Sequence, residues 1–417
     1  MDKIKIKGKK RLFGEVEISG AKNAALPILA SALLCDGKSV FHNVPDLVDV
    51  RSILKLSEKL GAKTEMSNGV VSIDASGLNN HFAPYDIVRK MRASILVLGP
   101  LVARLGKACV SLPGGCAIGA RPVNLHIEGL EKLGADLHIS HGYINAKSGR
   151  LTGNEINFDT VTVTGTENLM MAAALAKGET ILRNAAMEPE ITALADVLNL
   201  MGGKIKGAGT SEIIIQGVES LAPVETTIIP DRIETGTFMI AAAITKGDLL
   251  IKKCMPDHLS EVISKLKETG TFVETGNDWI RVKGKDEIKS IDIRTSPYPG
   301  FPTDMQAQFI TLMSVAEGVS TIKETIFENR FIHVNELQRM GADIYLPSSN
   351  TAVVRGVDEL EGAPVMASDL RASACLVLAG LAAQNTTIVN RVYHLDRGYE
   401  KMEIKLKSIG AEIERVK

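Results

Sequence analysis

The sequence has few aromatic side chains, no excess of one charge and no long uninterrupted apolar run. Phe, Trp and Tyr make up only 4% of 417 residues, so the cores that a hydrophobic content of 45% allows must be built from Ala, Leu, Ile, Val and Met. A formal net charge of −1 provides no basic surface for a phosphate backbone, which argues against nucleic-acid binding. Apolar stretches such as "AALPILASALL" reach about half of the roughly 20 residues that a membrane span needs.

Several motifs are also missing. The five cysteines include no CxxC pair, which is typical of a reducing cytosol, and the basic start "MDKIKIKGKK" lacks the apolar segment of a secretory signal. There is no GxxxxGK[ST], GxGxxG or HExxH, and "HISH" (His138 and His141) indicates an exposed pair rather than a ligand set. We therefore expect a cytoplasmic protein of two or three domains with no cofactor and no metal.

A short pattern, seen in "LEKLGADLHI" and "LQRMGADIYL", recurs about every 70 residues and predicts six structural repeats. Each copy indicates an amphipathic helix, a glycine at its C-terminal end and then a strand. The glycines are Gly61, Gly134, Gly202, Gly270, Gly341 and Gly410. A second pattern, seen in "LAKGETILRNA", interleaves with the first. Its sixth copy has Asn385 in place of glycine, and Asn tolerates the same left-handed conformation.

The helices of the second pattern are apolar or small on nearly every face, as in "ENLMMAAALA" and "RASACLVLAGLAA". Such helices are buried on all sides. Alternating helices and strands would ordinarily predict a central sheet covered by helices. Here they predict the opposite layering, an α/β fold with internal helices and external sheets. Six units divide into a domain at 22–229 and a second domain made of 1–21 plus 230–417. We expect the active site in the cleft between them.

Cationic residues recur where repeat helices are expected to begin: Lys22, Arg92, Arg121, Arg371 and Arg397. A helix N-terminus already favours anions, so a cation there does not help helix stability. Any one of the five is as well explained as an ordinary surface cation. Together they point to a polyanionic ligand, such as a phosphate with a carboxylate or a diphosphate.

Two loops carry candidate catalytic groups. In "SLPGGCAIGARP", Cys116 lies among glycines and small residues rather than in an apolar element, so its thiol is expected to be accessible. In "SPYPGFPTDMQAQF", prolines and a glycine stiffen the approach to Asp304 at the start of a helix. Asp304 is equally well explained as a helix N-cap or as a general base. Together these features suggest group transfer on a phosphorylated substrate.

Over essentially its full length the sequence resembles the UDP-N-acetylglucosamine 1-carboxyvinyltransferases, which are enolpyruvyl transferases. The resemblance rests on "SGAKNAALP", "MRAS", "LPGGCAIGARPVNLH", "YPGFPTDMQAQ", "ETIFENRF", "SDLRASA" and "HLDRGYE". It implies an inside-out α/β barrel of two domains, each with three βαβαββ units. It also implies transfer of the enolpyruvyl group of phosphoenolpyruvate to the 3′-hydroxyl of UDP-N-acetylglucosamine with release of phosphate, the first committed step of peptidoglycan synthesis.

The resemblance assigns roles to the catalytic candidates. Cys116 is expected to act as the general acid, to add covalently to phosphoenolpyruvate and to be alkylated by fosfomycin. Asp304 is expected to take the 3′-hydroxyl proton. Lys22, Arg121 and Arg397 are expected to bind phosphate, and Arg92 and Arg371 to support the anionic cleft.

The remaining contacts are also implied by the resemblance. Asn23 is expected to contact the sugar, Ile326 to line the sugar pocket, and Thr162 and Val163 to bind the diphosphate. The uridine part is expected to meet Arg121, Pro122, Val123, Asn124 and Leu125. Asn124, Thr160 and Ile95 depart from residues common in the family, which leaves some nucleotide contacts open.

Two other functions remain as alternatives. The related 3-phosphoshikimate 1-carboxyvinyltransferase shares the fold and mechanism but lacks the Cys116 loop and the "GARPVNLH" signature. A non-catalytic regulator that binds UDP-sugars on the same fold is disfavoured by the retained Cys116, Lys22, Asp304 and Arg397. The expected partners are the two small-molecule substrates alone, without nucleic acid or membrane, and the sequence leaves the oligomeric state open.

Overall fold

The computed structural model describes residues 2–89, 91–112 and 123–417. Cys116, Arg121 and Pro122 lie outside the described residues. The chain divides into two compact units. We call residues 20–112 with 123–229 the Lys22 unit, and residues 2–19 with 230–417 the Asp304 unit. The predicted cleft between two domains stays a prediction.

The chain begins with two strands of the Asp304 unit, β1 (Lys3–Lys7) and β2 (Phe13–Glu17). The helices of the Lys22 unit are α1 (Lys22–Ser31), α2 (Val48–Lys59), α3 (Tyr85–Val88), α4 (Leu98–Leu105), α5 (Asn124–Lys132), α6 (Val163–Ala173) and α7 (Pro189–Leu200). Its strands are β3 (Lys38–His42), β4 (Lys63–Ser67), β5 (Val70–Asp74), β6 (Phe82–Ala83), β7 (Lys107–Ser111), β8 (Asp136–Ser140), β9 (Tyr143–Lys147), β10 (Glu155–Asn157), β11 (Glu179–Arg183), β12 (Lys204–Lys206), β13 (Glu212–Gln216) and β14 (Glu225–Thr227).

The rest of the Asp304 unit follows. Its helices are α8 (Arg232–Ile244), α9 (Ser260–Glu268), α10 (Gln306–Met313), α11 (Val334–Arg339), α12 (Leu370–Ala382) and α13 (Met402–Ser408). Its remaining strands are β15 (Asp248–Lys252), β16 (Phe272–Thr275), β17 (Trp279–Lys283), β18 (Ile293–Arg294), β19 (Val319–Lys323), β20 (Asp343–Ser348), β21 (Thr351–Arg355), β22 (Pro364–Met366), β23 (Thr386–Asn390) and β24 (Glu412–Val416). Short 3-10 helices span Ala32–Leu34, Arg92–Val97, Pro256–Leu259, Thr303–Met305 and Val392–Arg397.

The described strands form six four-stranded sheets, three in each unit, and all six have the same topology. In each sheet one edge strand runs parallel to its neighbour and the other two pairings are antiparallel, as in β6-β7-β9-β8. The sixth sheet, β22-β23-β1-β24, is completed by the N-terminal strand. Six copies of one sheet topology confirm the repeat that the sequence predicts.

The inner helices account for the layering. In α6, α8 and α12 nearly every residue is buried, whereas the sheets alternate buried and exposed side chains along each strand. The prediction of internal helices and external sheets is therefore confirmed. The six first-pattern glycines and Asn385 all have positive φ, as a left-handed helix end requires. None of the helices in the described ranges is long and apolar enough to cross a membrane.

Candidate active site

Asp304 lies in the 3-10 turn Thr303–Met305, just before α10, and is held by two arginines. Arg330 Nη2 donates to Asp304 Oδ1 over 2.6 Å. Arg371 donates to Asp304 Oδ2 from Nε over 3.2 Å and from Nη2 over 2.9 Å. Only 6% and 3% of the arginine side-chain surfaces are exposed, against 25% for Asp304. We call these three residues the Asp304 clamp.

The clamp sets the charge of Asp304. Burial by itself raises the pKa of the carboxyl group, but the guanidinium groups of Arg371 and Arg330 outweigh burial and hold that pKa well below its usual range. Asp304 does not occupy an N-cap position, since the N-cap of Thr303–Met305 is Pro302 and that of α10 is Met305. The alternative explanation of Asp304 as an N-cap is therefore wrong. The side chain is an ionised, partly exposed carboxylate.

A helix cap positions Arg371, and a second side-chain hydrogen bond positions Arg330. Asp369 caps α12 by accepting from the N–H groups of Arg371 and Ala372 over 2.8 and 3.0 Å, which starts the helix one residue before Arg371. Arg330 Nη1 donates to Thr303 Oγ1 over 2.8 Å, so the same guanidinium binds both Asp304 and its neighbour. The loop and the helix start are thereby fixed relative to each other.

Ile326 is tied to the same loop through a buried glutamate. Glu324 Oε1 accepts from the Ile326 N–H over 2.7 Å, and Glu324 Oε2 accepts from Thr303 Oγ1 over 2.7 Å. Ile326 itself is 36% exposed, so its side chain is accessible beside the Asp304 loop. The structure thus brings three of the predicted residues, Asp304, Ile326 and Arg371, into one cluster.

Arg397 is the last residue of the 3-10 helix Val392–Arg397, which packs against α12. The expectation that Arg397 begins a helix is therefore wrong, because the 3-10 helix stops there and α13 starts only at Met402. Burial, and then the positive charge of Arg397, lower the pKa of His394. Two residues further on, the ring of Tyr399 lies 5.4 Å from the Arg371 guanidinium.

In the other unit, Lys22 is the first residue of α1 and is almost completely buried. Lys22 Nζ lies 2.9 Å from Asp49 Oδ2, and the two side chains are 9% and 2% exposed. An ammonium group is buried only where anions compensate its charge. The carboxylate of Asp49, in α2, therefore helps to compensate the charge of Lys22 at the start of α1. Asn23 follows it and is half-buried.

We expect Asp49→Asn to lower the free energy of unfolding by about 2 kcal/mol, because it removes the negative charge that compensates the buried ammonium of Lys22 and leaves a weaker, neutral acceptor. Urea unfolding at pH 7 measures this. The control is Glu65→Gln in the same unit, whose ion pair with Lys38 is exposed at 3.6 Å and should change stability by less than about 1 kcal/mol. Equal losses in the two variants would contradict the prediction.

The predicted nucleotide contacts lie on two helix starts. Val123, 9% exposed, is the residue before α5, exposed Asn124 is its first residue, and Leu125 is half-buried. Thr162 is the N-cap of α6, where its Oγ1 accepts from the Gly165 N–H over 3.2 Å, and Val163 is the first helical residue. The first N–H groups of a helix have no intrahelical acceptor, which suits an anionic group.

Arg92, the first residue of the 3-10 helix Arg92–Val97, lies close enough to His126 of α5 for its charge to help lower the pKa of His126. The helix α1 packs against this 3-10 helix.

Sequence reasoning missed Arg330 and Asp49, both of which contact predicted residues. Arg330 stands in the quoted motif "ETIFENRF", and its arginine could have been singled out with the other cations. Asp49 carried no comparable signal. Within the described ranges, no three His, Cys, Asp or Glu side chains lie close enough together to hold a metal ion.

Comparisons of the whole chain with known proteins identify its family. The family described as EPSP synthase (3-phosphoshikimate 1-carboxyvinyltransferase) matches residues 6–406. A UDP-N-acetylglucosamine 1-carboxyvinyltransferase of Desulfosudis oleivorans is 65% identical over 416 residues, covering 100% of both chains. One from Myxococcus xanthus is 57% identical, again covering 100% of both chains.

Solved structures agree in fold. The enolpyruvyl transferase NikO from Streptomyces tendae has a TM-score of 0.90 at 26% identity, covering 100% of this chain and 99% of that one. EPSP synthase from Acinetobacter baumannii has a TM-score of 0.78 at 19% identity, covering 100% of both chains, and its similarity is one of fold alone.

Proposed function

The chain belongs to the EPSP synthase family, and from this premise we propose that it transfers the enolpyruvyl group of phosphoenolpyruvate to the 3′-hydroxyl of UDP-N-acetylglucosamine, releasing phosphate. The observation that carries the proposal is the 65% sequence identity, over the full length, to a relative named for this reaction. A protein that shares only the fold is 19% identical. The reaction is the first committed step of peptidoglycan synthesis. The proposed location is the cytoplasm, and the cysteines in the described part of the chain are free thiols, as in reducing compartments.

The proposed route is addition followed by elimination. A general acid gives a proton to C3 of phosphoenolpyruvate while the sugar 3′-oxygen attacks C2 and loses its own proton to a base. The tetrahedral product then returns a proton from C3, and the C2–O bond to phosphate breaks. The route needs two proton-transferring groups near C2 and C3 and several cations for the phosphate and carboxylate. Cys116 is the proposed acid and Asp304 the proposed base.

The Asp304 clamp limits when Asp304 can act as a base. A carboxylate whose pKa is held well below its usual range binds a proton weakly. A substrate anion that draws Arg330 or Arg371 towards itself would weaken their hold and raise the pKa of Asp304. Base strength would then rise when phosphoenolpyruvate is bound, so that Asp304 could take the 3′-hydroxyl proton in the complex with both substrates.

The other residues bind substrate in this proposal. Lys22, Arg121 and Arg397 bind the phosphate of phosphoenolpyruvate, with Arg92 and Arg371 completing the anionic site. Asn23 and Ile326 contact the sugar. The uridine is bound by the segment from Arg121 to Leu125, with Pro122, Val123 and Asn124 within it, and the diphosphate by Thr162 and Val163. The residues named in this proposal come from both the Lys22 unit and the Asp304 unit.

The test is phosphate release from phosphoenolpyruvate with and without UDP-N-acetylglucosamine, in the wild type and in Cys116→Ser. We expect release that depends on the sugar nucleotide, and a rate about 100-fold lower in the variant, because a serine hydroxyl is a much weaker acid than a thiol. Replacing the sugar nucleotide by shikimate 3-phosphate should give no release.

Each other outcome has a distinct meaning. Release that survives in Cys116→Ser would keep the reaction and remove Cys116 from the role of acid. Release with shikimate 3-phosphate alone would favour the related enzyme. A folded wild type that binds UDP-N-acetylglucosamine without any release would favour a non-catalytic sugar-nucleotide regulator.

A further inference from the structure

His126 is a buried titratable residue that the proposed reaction does not use. It lies in the first turn of α5, two residues after Asn124, and is 3% exposed. Both ring nitrogens have polar partners on α6, namely Asn168 and Thr164. The buried ring therefore joins α5 to α6 through both of its nitrogens rather than merely filling space.

The hydrogen bonds around Asn168 determine which ring nitrogen carries the proton. The Gly99 N–H donates to Asn168 Oδ1 over 2.6 Å, which fixes the orientation of the amide. Asn168 Nδ2 then donates to Ile95 O over 3.2 Å and to His126 Nδ1 over 2.9 Å. Nδ1 must accept, so the proton of the neutral ring is on Nε2. Burial, and then the charge of Arg92, lower the pKa of His126 to about 4, which keeps the ring neutral at pH 7.

The protonated nitrogen, Nε2, faces the start of α6. His126 Nε2 lies 3.3 Å from Thr164 Oγ1 and donates to it. Thr164 is the second residue of α6, between Val163 and the Gly165 whose N–H is capped by Thr162. One imidazole thus links the first turn of α5 to the first turn of α6.

We propose that His126 is a positioning residue for the sugar nucleotide, holding the α5 and α6 starts at the separation that uridine and diphosphate need. This inference rests on the proposed function, which assigns uridine to the α5 start and the diphosphate to the α6 start. Apart from Arg121, phosphoenolpyruvate is assigned to other residues, of which Lys22 is held by Asp49 rather than by His126. Loss of the link should therefore affect the two substrates unequally.

The direct test is Thr164→Val, which keeps the β-branched shape and the backbone N–H but removes the acceptor for His126. We expect KM and Kd for UDP-N-acetylglucosamine to rise about fivefold, as for one lost hydrogen bond, with KM for phosphoenolpyruvate unchanged and kcat within about twofold. Thr164→Ser retains the hydroxyl and should restore the wild-type values. A merely structural role would lower thermal stability without this split between substrates.

A second variant tests the histidine itself. His126→Asn places an amide oxygen where Nδ1 stood, so the contact with Asn168 can persist while the contact with Thr164 is lost. It should match Thr164→Val, and the double variant should be no worse than either single one. Unchanged KM values, an equal rise for both substrates, or additive effects would overturn the inference.

Nucleotide binding by the wild type distinguishes a failure of this inference from a failure of the proposed function. Calorimetric titration with UDP-N-acetylglucosamine measures Kd without turnover. A wild type that binds the nucleotide but releases no phosphate would overturn the proposed reaction, and the Kd ratio of Thr164→Val to wild type would still decide the role of His126. A wild type that does not bind the nucleotide would overturn both.

Discussion

Asp304→Asn is expected to lower UDP-N-acetylglucosamine-dependent phosphate release by about a thousandfold. The amide cannot accept the 3′-hydroxyl proton, and it no longer balances the charges of Arg330 and Arg371, so the arginines would bind substrate anions without a carboxylate to oppose them. We therefore expect KM for phosphoenolpyruvate to stay level or fall while kcat collapses. Initial rates with each substrate varied in turn measure both values.

A matched control exists in the same unit. Asp286 also has two cationic partners, Arg11 at 3.1 Å and Lys246 at 3.6 Å, but its side chain is 76% exposed. Asp286→Asn should keep activity within about twofold, since exposed ion pairs contribute little. If Asp304→Asn retained more than a tenth of wild-type activity, Asp304 would not be the base, and the Asp304 clamp would have a structural role only.

The same variant changes the pH dependence of stability. The native pKa of Asp304 is held below that of an unfolded Asp, about 3.9, so its contribution is complete above that pH and is lost as pH falls through the native pKa. Breaking a largely buried charge pair costs about 3 kcal/mol at pH 7. The difference between wild type and Asp304→Asn in urea unfolding should therefore shrink from pH 7 to pH 3. A constant difference would mean that the carboxylate charge does not stabilise the fold.

The sequence predicted the fold because its signals are local. A glycine at a helix end requires only its own backbone conformation, and an all-apolar helix such as α12 is buried whatever covers it. The Asp304 clamp was not predictable in this way. Arg330 and Arg371 stand 26 and 67 residues from Asp304, and only folding shows that both guanidinium groups reach one carboxylate.

The two explanations offered for Asp304 show the same limit. An Asp at a helix start fits a cap and a catalytic carboxylate equally well, because both readings use the same local pattern. Asp369 and Asp231 are true caps, each accepting two backbone N–H groups, whereas Asp304 faces two arginines. Which carboxylate caps and which is available for chemistry depends on distant side chains: Arg330 comes from elsewhere in the same repeat as Asp304, and Arg371 comes from the next repeat.

Gly356→Ala is expected to destabilise the protein by about 3 kcal/mol and to lower Tm by about 10 °C. A Cβ at Gly356 would lie 1.5 Å from the backbone oxygen of Ala316, in the turn that follows the inner helix α10. A backbone carbonyl oxygen in this buried turn cannot rotate away as a flexible side chain can. The φ of Gly356 is not in the left-handed region, so the loss would be steric rather than conformational.

The close contact at Gly356 arises because the residues after β21 hydrogen-bond to the segment at the C-terminus of the inner helix α10. The Gly356 N–H donates to Gly318 O over 3.1 Å, and Val357 N–H donates to Ser314 O over 2.9 Å, which satisfies a carbonyl at the helix C-terminus. At the equivalent glycines Gly8 and Gly217, a Cβ would lie 2.0 and 1.8 Å from the backbone oxygens of Ala383 and Ala176, which follow the inner helices α12 and α6. The close approach lets the outer sheet pair with the end of the inner helix.

Gly149→Ala is the control for Gly356→Ala. Gly149 lies in a turn where an added Cβ meets nothing within 4 Å and φ is not positive, so alanine there should be neutral or slightly stabilising through the unfolded chain. Urea unfolding of the two variants separates general loss of glycine flexibility from the clash with Ala316. Similar stabilities would mean that the strand end can move away from the helix, and that the inside-out layering does not depend on this contact. A large loss confined to Gly356→Ala would show that the internal helices are held by the backbone ends of the sheets as well as by apolar side chains.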